Sequence, residues 1–105
     1  MPNQQIFIDK YTIPASSREE FKMRYKESCD LVAKLPGYIS LSSFERNDEH
    51  GNLIVHAIAF WASEETVEKS KQLMMEEYAR IGFNPAEMIE RLKISVEKGM
   101  YKAFE

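Results

Sequence analysis

Cysteine occurs once in these 105 residues, at Cys29, so no disulfide forms within the chain, and a reducing compartment is expected. Histidine occurs twice, at His50 and His56. Neither has a cysteine or carboxylate beside it at ligand spacing, so no structural zinc site and no Ser-His-Asp arrangement is predicted. The four glycines form neither a phosphate-cradling loop nor a dinucleotide fingerprint, and no cofactor is expected. A basic excess is missing too. Fourteen Lys and Arg stand against 17 Asp and Glu, a net charge of −3. That argues against nucleic acid or an anionic membrane as partner, because a phosphate-binding surface needs clustered cations. The longest apolar run, residues 53–62, is too short to cross a bilayer. MPNQQIFIDK lacks a basic region followed by an apolar one, so no signal peptide is read and a cytoplasmic location is expected.

What is present is the composition of a globular protein, 44% hydrophobic and 30% charged, read as a single domain over 1–105. QQIFIDKYTI (4–13) predicts a strand ended by Pro14. Ser16 and Ser17, each followed three residues later by Glu, offer overlapping capping boxes for a first helix. Phe21, Tyr25, Cys29 and Val32 form its inner stripe, and LPG (35–37) ends it. YISLSSFER (38–46) and residues 53–61 are strands joined by the turn chemistry of NDEHGN into a hairpin. A second helix starts after Ser63, with Val67, Met74, Tyr78 and Ile81 inward. Gly82 sits at a left-handed C-cap position and Phe83 is placed to close on the last turn. NPAE (84–87) carries the cap, N1 proline and first-turn acid of a short third helix. The last strand runs from about Lys93 to Ala103, with Gly99 expected to be a bulge.

This order, β-α-β-β-α-β, is the α+β ferredoxin-like arrangement: one antiparallel sheet with both crossover helices on one face. In residues 53–61 Leu53, Val55, Ala57, Ala59 and Trp61 point one way and Ile54, His56, Ile58 and Phe60 the other. Both faces are apolar, yet the helices cover only one. A bare patch of this kind invites association, so a homodimer packed sheet against sheet is expected.

IFIDKYTIP, LPGY, FERNDEHGN and AFWASEETVE, together with IGFNPAEMIERLKI, resemble the antibiotic biosynthesis monooxygenase (ABM) domains, over nearly the whole chain. The resemblance implies a dimeric α/β barrel with a pocket between the helices and the sheet of each subunit. It implies an oxidoreductase, and first among the family's activities a cofactor-independent monooxygenase of a small phenol or quinol. The wider superfamily also holds haem-degrading enzymes, isomerases and proteins without known activity. Trp61 matches the tryptophan that closes the pocket in characterised members. Asp9 stands where haem-degrading members carry an asparagine and Lys71 where they carry the iron-binding histidine, so haem binding is not implied.

Parity gives an independent reading of the same residues. Ala57 and Ala59 leave room beneath the second helix that larger residues would fill, unless Met74, Tyr78 and Trp61 themselves occupy it. Asp9 shares its face with Phe7, Tyr11 and Ile13 and must there be paired, hydrogen-bonded or protonated. Lys71 reads either as a snorkelling surface residue or as a cation that meets Asp9 at the pocket mouth. The expected catalytic residues are therefore Asp9 as base, Lys71 as anion holder and Trp61 as wall, with Tyr11, Met74 and Tyr78 as substrate contacts. The alternative is a non-catalytic dimeric module of the same fold that binds a small molecule or a partner protein.

Overall fold

The computed structural model describes residues 4–104. Residues 1–3 and 105, including the start of the segment read for a leader, lie outside the described residues. In chain order the elements are β1 (Gln5–Ile13), α1 (Arg18–Val32), β2 (Tyr38–Asn47), β3 (Leu53–Trp61), α2 (Glu64–Ile81), α3 (Pro85–Arg91) and β4 (Ser95–Tyr101). The strands form one open sheet in the order β2-β3-β1-β4, and every neighbouring pair is antiparallel. This is the predicted ferredoxin-like α+β fold, with α3 added before the last strand.

Local chemistry accounts for most element ends. Ser63 caps α2 by accepting the Thr66 N–H, and the Thr66 hydroxyl in turn accepts the Ser63 N–H at 3.2 Å. At the other end Gly82 adopts φ 73°, where a side chain would be strained. The Phe83 N–H then reaches the Tyr78 carbonyl at 2.9 Å, and the two rings meet edge to face at 5.3 Å. Asn84 accepts the Glu87 N–H at 3.1 Å to open α3 with Pro85 at its first position. In the hairpin turn Asp48 Oδ1 takes the N–H groups of His50 and Asn52, each at 2.9 Å.

Two local expectations are corrected. Ser16 and Ser17 make no capping box. Ala15–Ser17 forms a 3-10 turn, and Ser17, buried, donates its hydroxyl to the Leu92 carbonyl at 3.0 Å. A long-range partner thus takes the oxygen that a local cap would have used. Gly99 is not a bulge either, because the β1–β4 register runs through it without a shift. The Tyr101 ring lies where a Gly99 side chain would be, so the glycine makes room for an aromatic on the same face. The irregularity falls in β2 instead, at Ile39, between Tyr38 and Ser40.

Ile13 and Leu53 are fully buried and face each other across β1 and β3. Phe21, Val55 and Ile94 join them, with Tyr11, Tyr25, Ile89, Leu92 and Val96 packed around. Together these residues show that α1 and the α3–β4 corner close over the helix side of the sheet. On the opposite side Ile8, Ile58 and Phe60 are only partly covered, and Phe44 is 60% exposed.

Candidate functional site

The sheet register sets one row of side chains beneath the helices: Lys98 in β4, Asp9 in β1, Ala57 in β3 and Ser43 in β2. The next row holds Val96, Tyr11, Val55 and Glu45. Ala57 is the small member of its row, and α1 supplies what lies above it. The Tyr25 hydroxyl reaches down to Ser43 Oγ at 2.7 Å. Its ring stacks on Phe21 at 5.3 Å and meets Tyr11 edge-on at 5.8 Å.

Four groups gathered here have their pKa values raised by burial: Asp9, Tyr11, Tyr25 and Cys29. Burial pushes the Asp9 carboxyl above its ordinary value, against the opposing pull of Lys98 and a backbone hydrogen bond from Gly99. Burial likewise raises Tyr11, and the charge on Asp9 adds to the effect. Tyr25 is pushed up to about 12, chiefly by burial, despite its bond to Ser43. The Cys29 thiol is raised by burial as well. At neutral pH the two tyrosines are therefore neutral O–H donors, and Asp9 is the group among them whose proton affinity burial raises. Such a set can take a proton from a bound hydroxyl and offer uncharged donors to the oxygen left behind.

The six residues singled out from sequence are only partly brought together. Asp9 and Tyr11 are neighbours in this space, two positions apart on one face of β1. Tyr78 enters from α2 and bonds Ser28 Oγ at 3.0 Å. Met74 is half-buried on the same helix. Trp61 is 9% exposed and packs edge to face on Tyr38 at 6.0 Å. Lys71 does not reach Asp9. Its side chain is 63% exposed and pairs with Glu68 at 3.6 Å, one turn back on α2. The inner position is Ser70, 3% exposed, with its hydroxyl on the Pro36 carbonyl at 2.9 Å. The cation that acts on Asp9 is Lys98, a cross-strand neighbour.

Sequence reading missed Tyr25, Cys29 and Ser43 as members of this cluster. The α1 stripe Phe21–Tyr25–Cys29 was visible as core spacing. Its polar tips gain meaning only when the register sets Ser43 and Asp9 on either side of Ala57.

An open groove of about 170 Å³ lies between α1 and the edge strand β2, lined by Phe21, Tyr25, Ser43, Glu45 and Val55 among others. A small one of about 20 Å³ lies where Tyr78 and Phe83 meet α1. Among the described residues no group of three His, Cys, Asp or Glu side chains is placed to hold a metal ion. No described helix is long and apolar enough to cross a membrane.

No protein-family model matches this sequence, and no curated protein matches it. Solved structures do match its fold. SnoaB, a cofactor-independent oxygenase from Streptomyces nogalater, superposes with a TM-score of 0.68 at 19% identity, over 98% of this chain and 95% of that one. A candidate antibiotic biosynthesis monooxygenase from Deinococcus radiodurans gives 0.64 at 12%, over 96% and 93%. A dimeric ferredoxin-like protein from an uncultured marine organism gives 0.67 at 8%, over 94% of each chain. At these identities the likeness is one of fold.

Proposed function

We propose that this chain, whose fold is that of the antibiotic biosynthesis monooxygenase domains, is an oxidoreductase: a cofactor-independent monooxygenase of a small phenolic or quinol-type substrate. The observation that carries this reading is Asp9, a carboxyl of raised basicity under the helices, flanked by the neutral hydroxyls of Tyr11 and Tyr25. Asp9 takes the substrate's hydroxyl proton, and the electron-rich anion passes an electron to molecular oxygen. The resulting radical pair combines to form a C–O bond. One oxygen atom ends as a carbonyl on the ring. The other leaves as water, with the hydroxyl proton and the hydrogen of the oxidised carbon. Tyr11 and Tyr78 donate to the substrate oxygen, Met74 fills the space beside it, and Trp61 walls the far end. Lys71, turned to solvent, is assigned at most a role at the entrance. The SnoaB likeness supports the reading through a shared fold.

Oxygen uptake by the purified, metal-free protein with hydroquinones, catechols and anthrones tests it. Uptake above autoxidation that falls in Trp61→Ala is expected. Background rates with every compound would leave the binding module of the same fold as the better account.

The unit of function is proposed to be a homodimer. Ile8, Ile58 and Phe60 lie on the sheet face away from the helices, beside the exposed Phe44 and Tyr101. A second copy of the same face is the self-complementary cover, and the dimeric ferredoxin-like neighbour supports it. Light scattering at micromolar concentration should return twice the 12.3 kDa chain mass. Ile58→Asp should halve it. A wild-type monomer would overturn the two-sheet arrangement.

A further inference from the structure

We propose that the sheet-to-sheet dimer carries an acid-sensitive switch at His56: protonation of this side chain drives the two copies apart while each chain stays folded. The switch presupposes the homodimer proposed for this chain and no step of the oxygen chemistry.

The register fixes the neighbours of His56 on the face away from the helices. Lys10 in β1 stands directly opposite it on one side and Phe44 in β2 on the other. His56 and Lys10 are half-buried in the single chain, and both lie on central strands. Arg46 is one row along in β2, opposite Ile54, which is 3% exposed. Glu97 in β4 faces Lys10 from its outer side, so the whole of β1 separates this carboxylate from His56. Tyr101 is the other titratable group among the described strand residues of this face, at the apolar end beside Ile6. His56 therefore has two fixed cations as its near charged neighbours, and the one acid stands nearer to Lys10.

Like charges directly opposite each other across an antiparallel pair repel. Water screens that repulsion while the face is bare. A second copy removes the water from β1 and β3 and returns the same groups from the other side. Because the covering face is identical, its charges do not depend on the docking angle: each copy brings Lys10, Arg46, Glu97 and His56. With His56 neutral, Glu97 offsets Lys10, and Arg46, on the exposed edge strand, can stay at a wet rim. With His56 protonated, a further charge sits at the centre of each sheet with no acid opposite it. A desolvated charge without a partner is costly. The dimer thus binds this proton less readily than the monomer does, and by linkage acid favours the monomer. Histidines exchange that proton between about pH 5 and 8. Net charge cannot imitate the effect. The sequence pI is about 5.5, so acidification from neutral pH removes the long-range repulsion between copies and would by itself tighten them.

Sedimentation equilibrium of the full chain at about pH 7.5 and about pH 5.5, at one ionic strength, tests the switch. Circular dichroism of the same samples reports whether the chain stays folded. The dimer Kd should rise about tenfold or more at the acid pH. His56→Gln, which keeps a polar side chain but cannot take the proton, should hold the Kd constant within about threefold. Lys10→Gln removes the opposed charge and should shrink the rise, which decides the matter if His56→Gln does not fold. A Kd equal or lower at the acid pH, a rise that persists in His56→Gln, or a loss of helix signal that accompanies dissociation would each overturn the switch. A dimer at both pH values sinks the switch alone. A monomer at both sinks the homodimer reading as well, and oxygen uptake measures the oxygenase reading separately from either.

Discussion

Asp9→Asn is expected to lower oxygen uptake by about 100-fold or more, the usual contribution of a positioned general base, and at the same time to raise the melting temperature at pH 7. The two effects share one cause. Burial holds the folded-state pKa of Asp9 above its ordinary 3.8, so the folded chain binds that proton more tightly than the unfolded chain does. The stability that comes with the bound proton is fully present below pH 3.8 and is lost as pH rises through the folded value. Asparagine is never charged and escapes the loss. The gap in melting temperature between variant and wild type should therefore be widest at neutral pH and close as pH falls toward 3.8. Activity should move the opposite way, rising with pH as Asp9 ionises. Tyr25 does not titrate until about pH 12, so a second limb at milder pH would belong to the substrate's own hydroxyl. Thermal melts and initial rates across pH measure both. A variant less stable than wild type at pH 7 would mean that Lys98 and the Gly99 N–H hold the carboxylate more strongly than burial penalises it. Asp9 would then be a structural anion and a poor base.

What could be read from sequence was what short-range chemistry decides. Gly82 with Phe83, and Asn84 with Pro85, announce a helix end and a helix start within a few residues of themselves, and both occur as read. Strand parity on β3 was equally local and correctly separated the Trp61 face from the Ile58 face. The failures lie where a distant partner intervenes. Ser17 looked like a cap, but its hydroxyl goes to Leu92, 75 residues away. Lys71 looked inward because it lies four residues after Val67. Ser70, three residues after Val67, is an equally good inner position, and a bond to Pro36 on the chain between α1 and β2 selects it. Serine carries no hydrophobic signal to mark it. The candidate site failed in the same way. Asp9 stood out as a carboxylate on an apolar face, whereas Tyr25, Cys29 and Ser43 carry no such signal until the register of three strands sets them around Ala57.

Gly37→Ala is expected to destabilise the fold by about 3 kcal/mol or more, from a left-handed backbone cost and an overpacked contact together. Gly37 holds φ 78°, and an added Cβ would overlap the Thr66 side chain at both Cβ and Oγ1. Thr66 cannot turn away cheaply. It is β-branched, which limits its rotamers, and its hydroxyl is held in the α2 cap by Ser63 N–H at 3.2 Å and the Ser63 carbonyl at 2.9 Å. The backbone on the other side is fixed as well, because the Gly37 carbonyl accepts the Ala62 N–H at 2.8 Å. Thr66→Ala should not rescue Gly37→Ala, since alanine keeps the clashing Cβ. In a Thr66→Gly background the cost should drop to the left-handed term, about 1–2 kcal/mol. Urea denaturation of the six chains, each Thr66 background with and without Gly37→Ala, measures the differences. A cost below about 1 kcal/mol in the Thr66 background would show that the start of α2 slides away freely. The same contact governs the site, because Tyr38 follows Gly37 and its ring packs on Trp61. A chain that tolerates Gly37→Ala only by shifting this corner should therefore show a changed Trp61 emission, and a wall residue displaced from the substrate it is proposed to enclose.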